Sequence, residues 1–174
     1  MNRAKRKQIN EVAETVLRSL NLAPPVDVRE AVKLLGGEIK FLSQDSGGVA
    51  KIEKHDKGFI IWIENPSSVR NRFSIAHELG HLFLHMGYLG TDDRWKNMST
   101  YQDAVRYRYG YSEEEYEANE FAGAFLMPEE DFRDIIEKNR IRNRVKLDPI
   151  AQHFDVSIEA VKIRGRFLGI FSWD

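Results

Sequence analysis

Residues 70–85 read RNRFSIAHELGHLFLH, and at their centre His77, Glu78 and His81 form an H-E-x-x-H. On a helix turning about 100° per residue, His77 and His81 stand one turn apart on one face, so both imidazoles can reach a single metal ion. Glu78 lies a step around the barrel, beside that ion. The spacing lets a metal polarise a water while a carboxylate deprotonates it, which is what hydrolysis of an unactivated amide needs. The motif arises by chance in on the order of one chain in a few hundred, so it needs support. Val69, Phe73, Ala76, Leu79, Leu82, Phe83, Leu84 and Met86 cover nearly the whole circumference around it. This predicts a helix packed on most sides, where two His and a Glu in one turn are hard to satisfy without a cation.

The 174 residues suffice for one domain with a sizeable core. A single unit over 1–174 is expected, with N-terminal helices and a sheet over 1–66, the motif helices and an insertion over 67–130, and a C-terminal helical segment over 131–174. The formal net charge of −1 does not advertise nucleic acid or anionic membrane as a partner. The chain has no cysteine. That excludes disulfides, thiolate zinc ligands and a cysteine nucleophile together, and leaves His and carboxylate as ligands. The start, MNRAKRKQIN, is basic without an apolar run, and no stretch approaches the ~20 apolar residues of a membrane span. A cytoplasmic protein with no membrane partner is expected.

Ile9, Val12, Ala13, Val16, Leu17 and Leu20 recur at helical spacing, predicting an amphipathic packing helix whose other face carries Lys and Arg. Pro24 and Pro25 stop it. Asp27 then caps a short helix through Ala31, Leu34 and Leu35 that ends at Gly36-Gly37. Three strand-like runs follow, around Glu38–Leu42, Gly48–Ile52 and Gly58–Glu64, with turn signals at Ser46-Gly47-Gly48 and His55-Asp56-Lys57-Gly58. A small antiparallel meander is expected, with His55 an exposed turn residue. Asn65-Pro66-Ser67-Ser68 joins its most apolar run, FIIWIE, to the motif helix, and an edge left open beside the metal would accept an extended peptide. From Gly87 to Tyr111 no periodicity is sustained. This insertion reads as a lid or binding loop, with Arg106, Tyr107, Arg108, Tyr109 and Tyr111 as contacts for a polypeptide substrate or a nucleic acid, or as an ordinary, partly ordered surface loop.

From Ser112 the chain reads SEEEYEANEFAGAFLMP, with Ala118, Phe121, Ala122, Phe125 and Leu126 as an apolar stripe closed by Pro128. Ser112 and Glu115 have the spacing of a capping box. Relative to the stripe, Glu114 and Glu115 lie near its buried edge while Glu113 and Glu117 point away, so periodicity leaves two candidate carboxylates. One turn after Glu115 stands Asn119, which could hold a ligand His by its second ring nitrogen. We therefore take Glu115 as the third metal ligand and Asn119 as its support, with Glu114 in reserve. Small Ala118 and Ala122 let the two helices approach. Two His and one Glu leave a position open for water, as in a catalytic zinc site.

RFSIAHELGHLFLH followed by EYEANEFAGAFLMP resembles the ImmA/IrrE family of zinc metallopeptidases, in which an H-E-x-x-H helix is paired with an E-x-x-A-N-x-F-A-x-x-x-L-M-P helix. The order of elements before the motif is similar too. The resemblance implies that His77, His81 and Glu115 are the metal ligands and Glu78 the general base, on a zincin-like, gluzincin-type layout. It further implies cleavage of a protein substrate, a helix-turn-helix transcriptional repressor, often one encoded nearby in a mobile element or stress response. The expected fold is α+β, a small antiparallel three-stranded sheet on a mainly helical domain. Zn²⁺ is the expected cofactor, and Mn²⁺ or Fe²⁺ suit the same donors. The oxyanion donor is left among His85, Tyr88, Tyr101 and Tyr116.

Towards the C-terminus a helix is expected from Phe132 to about Lys138, followed by a solvated basic run to Arg144. Asp148 and Pro149 begin another helix, Asp155-Val156-Ser157 turns the chain, and a last helix ends near Gly169. The pair resembles a helix-turn-helix, with Lys162, Arg164 and Arg166 available for phosphates. Its apolar stripe favours packing or partner docking over nucleic-acid binding. His153 reads as a surface residue. Two alternatives to a peptidase stand: a regulatory protein that binds a repressor or antitoxin without cutting it, and a DNA-binding regulator acting through these helices.

Overall fold

The run FIIWI forms the last strand of a three-stranded sheet, and its place there follows from its composition. Phe59, Ile60, Ile61 and Ile63 are each 5% exposed or less, so this strand is covered on both faces and takes a partner on both edges. In the computed structural model, which describes residues 1–42, 50–56, 58–63, 69–90, 93–97, 112–142 and 144–172, β1 (Gly37–Phe41) and β2 (Lys51–His55) flank β3 (Gly58–Ile63). β2 pairs with it antiparallel, through a tight hairpin in which His55 faces Gly58 and Asp56 has φ 46°. β1 pairs with it in parallel. The sheet is therefore mixed rather than the antiparallel meander expected. The most apolar strand occupies the centre, and the chain must cross from β1 to the far edge before it returns. β2 also begins later than expected, because the pairing of His55 with Gly58 sets its register. Trp62 lies on the less buried face between Lys40 and Lys51 of the flanking strands, with both ammonium groups within 5.8 Å of its ring.

Four of the described helices begin where a side chain satisfies one or more of their first N–H groups. In α1 (Arg3–Leu20) the Asn2 side chain accepts from Lys5, and in α2 (Val28–Leu34) Asp27 accepts from Arg29 and Glu30. α3 (Val69–Leu84) carries the H-E-x-x-H, and a short α4 (Arg94–Asn97) follows it. α5 (Glu113–Leu126) is capped by Ser112, and α6 (Glu129–Lys138) by position follows Pro128. A minimal hairpin, β4 (Arg140–Ile141) and β5 (Arg144–Val145), occupies the basic run read as loop. α7 (Leu147–Phe154) and α8 (Ile158–Phe167) form the C-terminal pair, with Asp155 left-handed between them and Ser157 capping the second. The cluster Arg106 to Tyr111, like Tyr101, lies outside the described residues. No helix among the described residues is long and apolar enough to cross a membrane.

One continuous set of buried side chains joins Ile9, Ala13 and Leu17 of α1, Val28 and Ala31 of α2, the sheet, Ile75, Leu79 and Leu82 of α3, Phe121 and Phe125 of α5, and Phe132, Ile150, Phe154 and Val161 beyond. α3 packs on α2, the sheet and α5, and α5 also meets α1 and α8. The C-terminal pair corrects one expectation. Arg164 is 2% exposed, its Nε donates to Met127 O at 3.0 Å and its Nη1 to Glu120 Oε1 at 3.2 Å. Glu120 also accepts from Asn10 at 2.7 Å and faces Arg6 at 3.2 Å. Arg164 is thus committed to the core and not available for phosphates, because α8 is laid against α5 and needs a cation opposite a buried carboxylate.

The close approach of α3 and α5 rests on Gly80. A Cβ added there would lie 2.9 Å from Ala118 Cα, 3.1 Å from Ala118 O and 3.2 Å from Phe121 Cβ. Backbone cannot move aside as a side-chain tip can. Gly80→Ala gains roughly 1 kcal/mol of helix propensity against an overpacking cost of about 1–3 kcal/mol. We expect a net loss of stability, read as a lower urea midpoint, together with weaker divalent-metal binding as Glu115 is pushed from α3. An unchanged midpoint would show that the helices have room to spare.

Candidate metal centre

Three polar side chains from two helices converge where α3 meets α5. His77 Nε2 and His81 Nε2 are 3.0 Å apart. Glu115 Oε2 lies 3.3 Å from the first and Oε1 3.3 Å from the second. Exposure falls from 26% for the Glu115 side chain through 16% for His77 to 1% for His81, so the group opens to solvent on the carboxylate side. Of the two carboxylates that periodicity left, Glu115 is the one placed here and Glu114 is exposed. The capping reading holds for its backbone, since Glu115 N donates to Ser112 Oγ at 3.3 Å, while its carboxylate is turned to the imidazoles.

Ring tautomers follow from what the far nitrogens meet. His77 Nδ1 donates to Asn119 Oδ1 at 3.0 Å, which leaves Nε2 with a lone pair directed at the shared point. His81 Nδ1 lies 3.0 Å from His85 Nδ1, and His85 Nε2 lies 3.3 Å from Glu117 Oε2. Glu117 corrects the sequence reading. Expected on the outward face of α5, it is 7% exposed and its other oxygen is 3.1 Å from Lys5 Nζ. The stripe of α5 marked only the side toward α3; α1 covers the opposite side. His85, one of the oxyanion candidates, is held within this chain of contacts. The signal for it was present as three His at i, i+4 and i+8 on one helix.

Charge reinforces the geometry. Burial pushes the His77 pKa down, but the hydrogen bond to Glu115 and the charges of Glu78 and Glu115 outweigh it, and the net shift is upward. Hydrogen bonds from His77 and His81 hold the Glu115 carboxyl far below the ordinary carboxylate range. Burial lowers the His85 pKa, and the neighbouring His81 adds to that. Glu78, 2% exposed, sits one residue beyond His77 and acts on it electrostatically. The three donors fit a divalent ion: bonds of about 2.0–2.2 Å in a tetrahedron put neighbouring ligand atoms about 3.3–3.6 Å apart, close to the 3.0–3.3 Å here. His77, His81 and Glu115 are the group among the described residues that could hold such an ion.

Beside the group, Asn119 and Tyr116 border an apolar groove of about 580 Å³ whose other walls include Phe73, Met127, Ile163 and Phe167. Of the oxyanion candidates, Tyr88 donates its hydroxyl to Leu35 O at 2.5 Å within a cluster of Phe59, Phe83 and Trp95. Tyr116 is 46% exposed on the groove. His55 and His153 are exposed and apart from the site.

The family model of Peptidase_M78, described as the IrrE N-terminal-like domain, matches residues 34–165. The chain belongs to this family. Peptidase_M78 is a metallopeptidase-like family, typically metal-dependent, and the matched span holds α3 and α5 whole while α1 lies before it. Among solved structures, a Mycobacterium tuberculosis transcriptional regulator has the same fold, with a TM-score of 0.59 and 22% identity over 90% of this chain and 46% of that one. The chain thus spans about half the length of that protein. No curated protein matches the chain.

In the metal-free state the paired shifts carry a pH signature. Glu115, lowered from 4.5, contributes stability that is present above that value and lost as pH falls through its folded pKa. His77, raised from 6.5, contributes below that value and loses it as pH rises through its folded pKa. Both contributions are in place between 4.5 and 6.5. Burial lowers the His85 pKa from 6.5, which acts in the opposite sense over the same range. From about pH 6 to about pH 8 the melting temperature of metal-free wild type should therefore fall relative to that of metal-free His77→Gln, and Zn²⁺ should restore the wild type by replacing the proton. A difference between the two proteins that does not change with pH, with no response to Zn²⁺, would contradict the pairing.

Proposed function

We propose that the chain, as one domain over 1–174, is a zinc-dependent endopeptidase that acts in the cytoplasm on a protein substrate, a helix-turn-helix transcriptional repressor cut at a specific site. The observation that carries the reading is the convergence of His77, His81 and Glu115 at 3.0–3.3 Å with Glu78 buried beside them. Membership of a metallopeptidase-like family supports it. For the substrate, the support is the resemblance to repressor-cleaving peptidases, together with a similar fold in a protein described as a transcriptional regulator.

His77, His81 and Glu115 would hold Zn²⁺, with Asn119 fixing the His77 ring. When bound, the ion supplies Lewis acidity, polarising the scissile carbonyl and acidifying a water. Glu78 would take a proton from the attacking water as its oxygen adds to the carbonyl carbon, and would deliver that proton to the leaving amine nitrogen as the C–N bond breaks. Its burial keeps bulk water from competing for the carboxylate. The apolar groove along Asn119 and Tyr116 gives substrate side chains a surface next to the reacting bond, and the exposed Tyr116 hydroxyl is the candidate that could approach an oxyanion there. A purely DNA-binding role has less to stand on, because Arg164 is spent on Glu120.

Co-expression with the repressor encoded beside the gene tests the reading. Wild type should yield discrete repressor fragments and bind about one equivalent of zinc, while Glu78→Gln should keep the metal and slow cleavage by roughly 10²–10⁴-fold. Cleavage at the wild-type rate by Glu78→Gln, or a wild type that binds no divalent metal, would overturn the mechanism. Intact repressor held in a stable complex by both proteins would point to the binding reading.

A further inference from the structure

We propose that His85 and Glu117 are positioning residues for His81, forming with Lys5 a proton-ordered chain that presets His81 as a metal ligand. The inference rests on the metal reading above and concerns how one ligand of that site is held.

A neutral imidazole carries one N–H. If His81 Nε2 is to offer its lone pair at the point it shares with His77 and Glu115, its hydrogen must be on Nδ1. That nitrogen is 3.0 Å from His85 Nδ1. His85 Nδ1 must then be bare, and the His85 hydrogen must sit on Nε2, 3.3 Å from Glu117 Oε2. Glu117 accepts only, and its Oε1 meets Lys5 Nζ, a pure donor, at 3.1 Å. The order of hydrogens is therefore dictated from both ends. In the reverse order a bare His85 Nε2 would face the lone pairs of a carboxylate, and His81 would present an N–H to the metal position.

Burial makes the ordering count. The side chains of His81, His85 and Glu117 are 1%, 7% and 9% exposed, so water does not compete for these bonds. His77 is held otherwise, by the amide of Asn119 on the open side of the site. The two histidines of the motif thus have different supports, one neutral and near solvent, the other a buried relay ending on an ammonium. Lys5 belongs to α1, ahead of the family span of 34–165. This assigns α1 a part in metal affinity, beyond packing.

The test uses the full chain. Long-range ¹H–¹⁵N spectra of zinc-loaded, imidazole-labelled protein should show His85 as the Nε2–H tautomer and His81 protonated at Nδ1. Zn²⁺ affinity from chelator competition should fall about 10–100-fold in His85→Leu. Most of it should return in His85→Asn, whose Oδ1 stands where Nδ1 stood and accepts from His81. Hydrogen on His85 Nδ1 in the zinc form would overturn the proposal, as would His85→Leu binding zinc as tightly as a wild type that binds one equivalent. A wild type that binds no zinc would remove the metal reading itself, and this inference with it, so the two failures are told apart by the wild-type titration.

Discussion

The contact between Gly80 and Ala118 is the constraint on which the rest of the arrangement depends. Metal ligands on a single helix can supply two imidazoles, but the third donor has to come from elsewhere and be held to within tenths of an ångström. Here it comes from a helix whose backbone lies 2.9 Å from where a Cβ of residue 80 would be. The approach lets Glu115 reach both imidazoles and lets Asn119, one turn on, reach the back of His77. A longer side chain at either position would separate the helices, and no rotamer of a glutamate recovers a lost turn of register. The apolar girdle of α3 serves the same end, since it fixes the helix against the sheet and α2 on the sides that α5 does not cover.

α5 is the less ordinary element, because it buries carboxylates on more than one face. Glu115 is answered by two imidazoles, Glu117 by His85 and Lys5, and Glu120 by Asn10, Arg6 and Arg164. A buried charge left alone would cost several kcal/mol, so each partner is required wherever the carboxylate stays. The answers differ in kind. Glu120 is matched within the core by full cations and has the character of a structural tie between α1, α5 and α8. Glu115 is matched by groups that can exchange a proton for a metal, and it stands at the solvent side.

Local patterns carried most of what could be read from the chain alone. The caps at Asp27 and Ser112 rest on bonds spanning two or three residues, and the sequence contains both partners. The H-E-x-x-H and the Glu115–Asn119 spacing are also within-helix facts. The pairing of those helices came from matching a polar set on one to a polar set on the other, which is why Glu115 was preferred to Glu114. What stayed hidden depended on a third element. Glu117 looked outward because one stripe was read as the only buried side, and Arg164 looked like a phosphate contact because its partner lies 44 residues away. The parallel pairing of β1 was hidden for a similar reason. Strand adjacency in sequence argues for a meander, whereas burial of β3 on both faces demands two neighbours and overrides that order.

The N-terminal helix joins these threads. Its apolar side, with Ile9, Ala13 and Leu17 buried, makes it a packing helix, and nothing in its sequence says what its basic side is for. In the fold that side meets the acids of α5: Lys5 reaches Glu117 and Arg6 reaches Glu120. A formal net charge of −1 is thus the sum of charges that are locally segregated and then paired across helices. Such pairing does more than neutralise. A carboxylate pinned by an ammonium on one oxygen has a fixed direction on the other, and a fixed acceptor dictates which nitrogen of the next imidazole holds the hydrogen. Orientation therefore passes inward from the surface of α1 to the face of α3 where the ligand nitrogens converge, through side chains that individually look like ordinary charged positions on amphipathic helices.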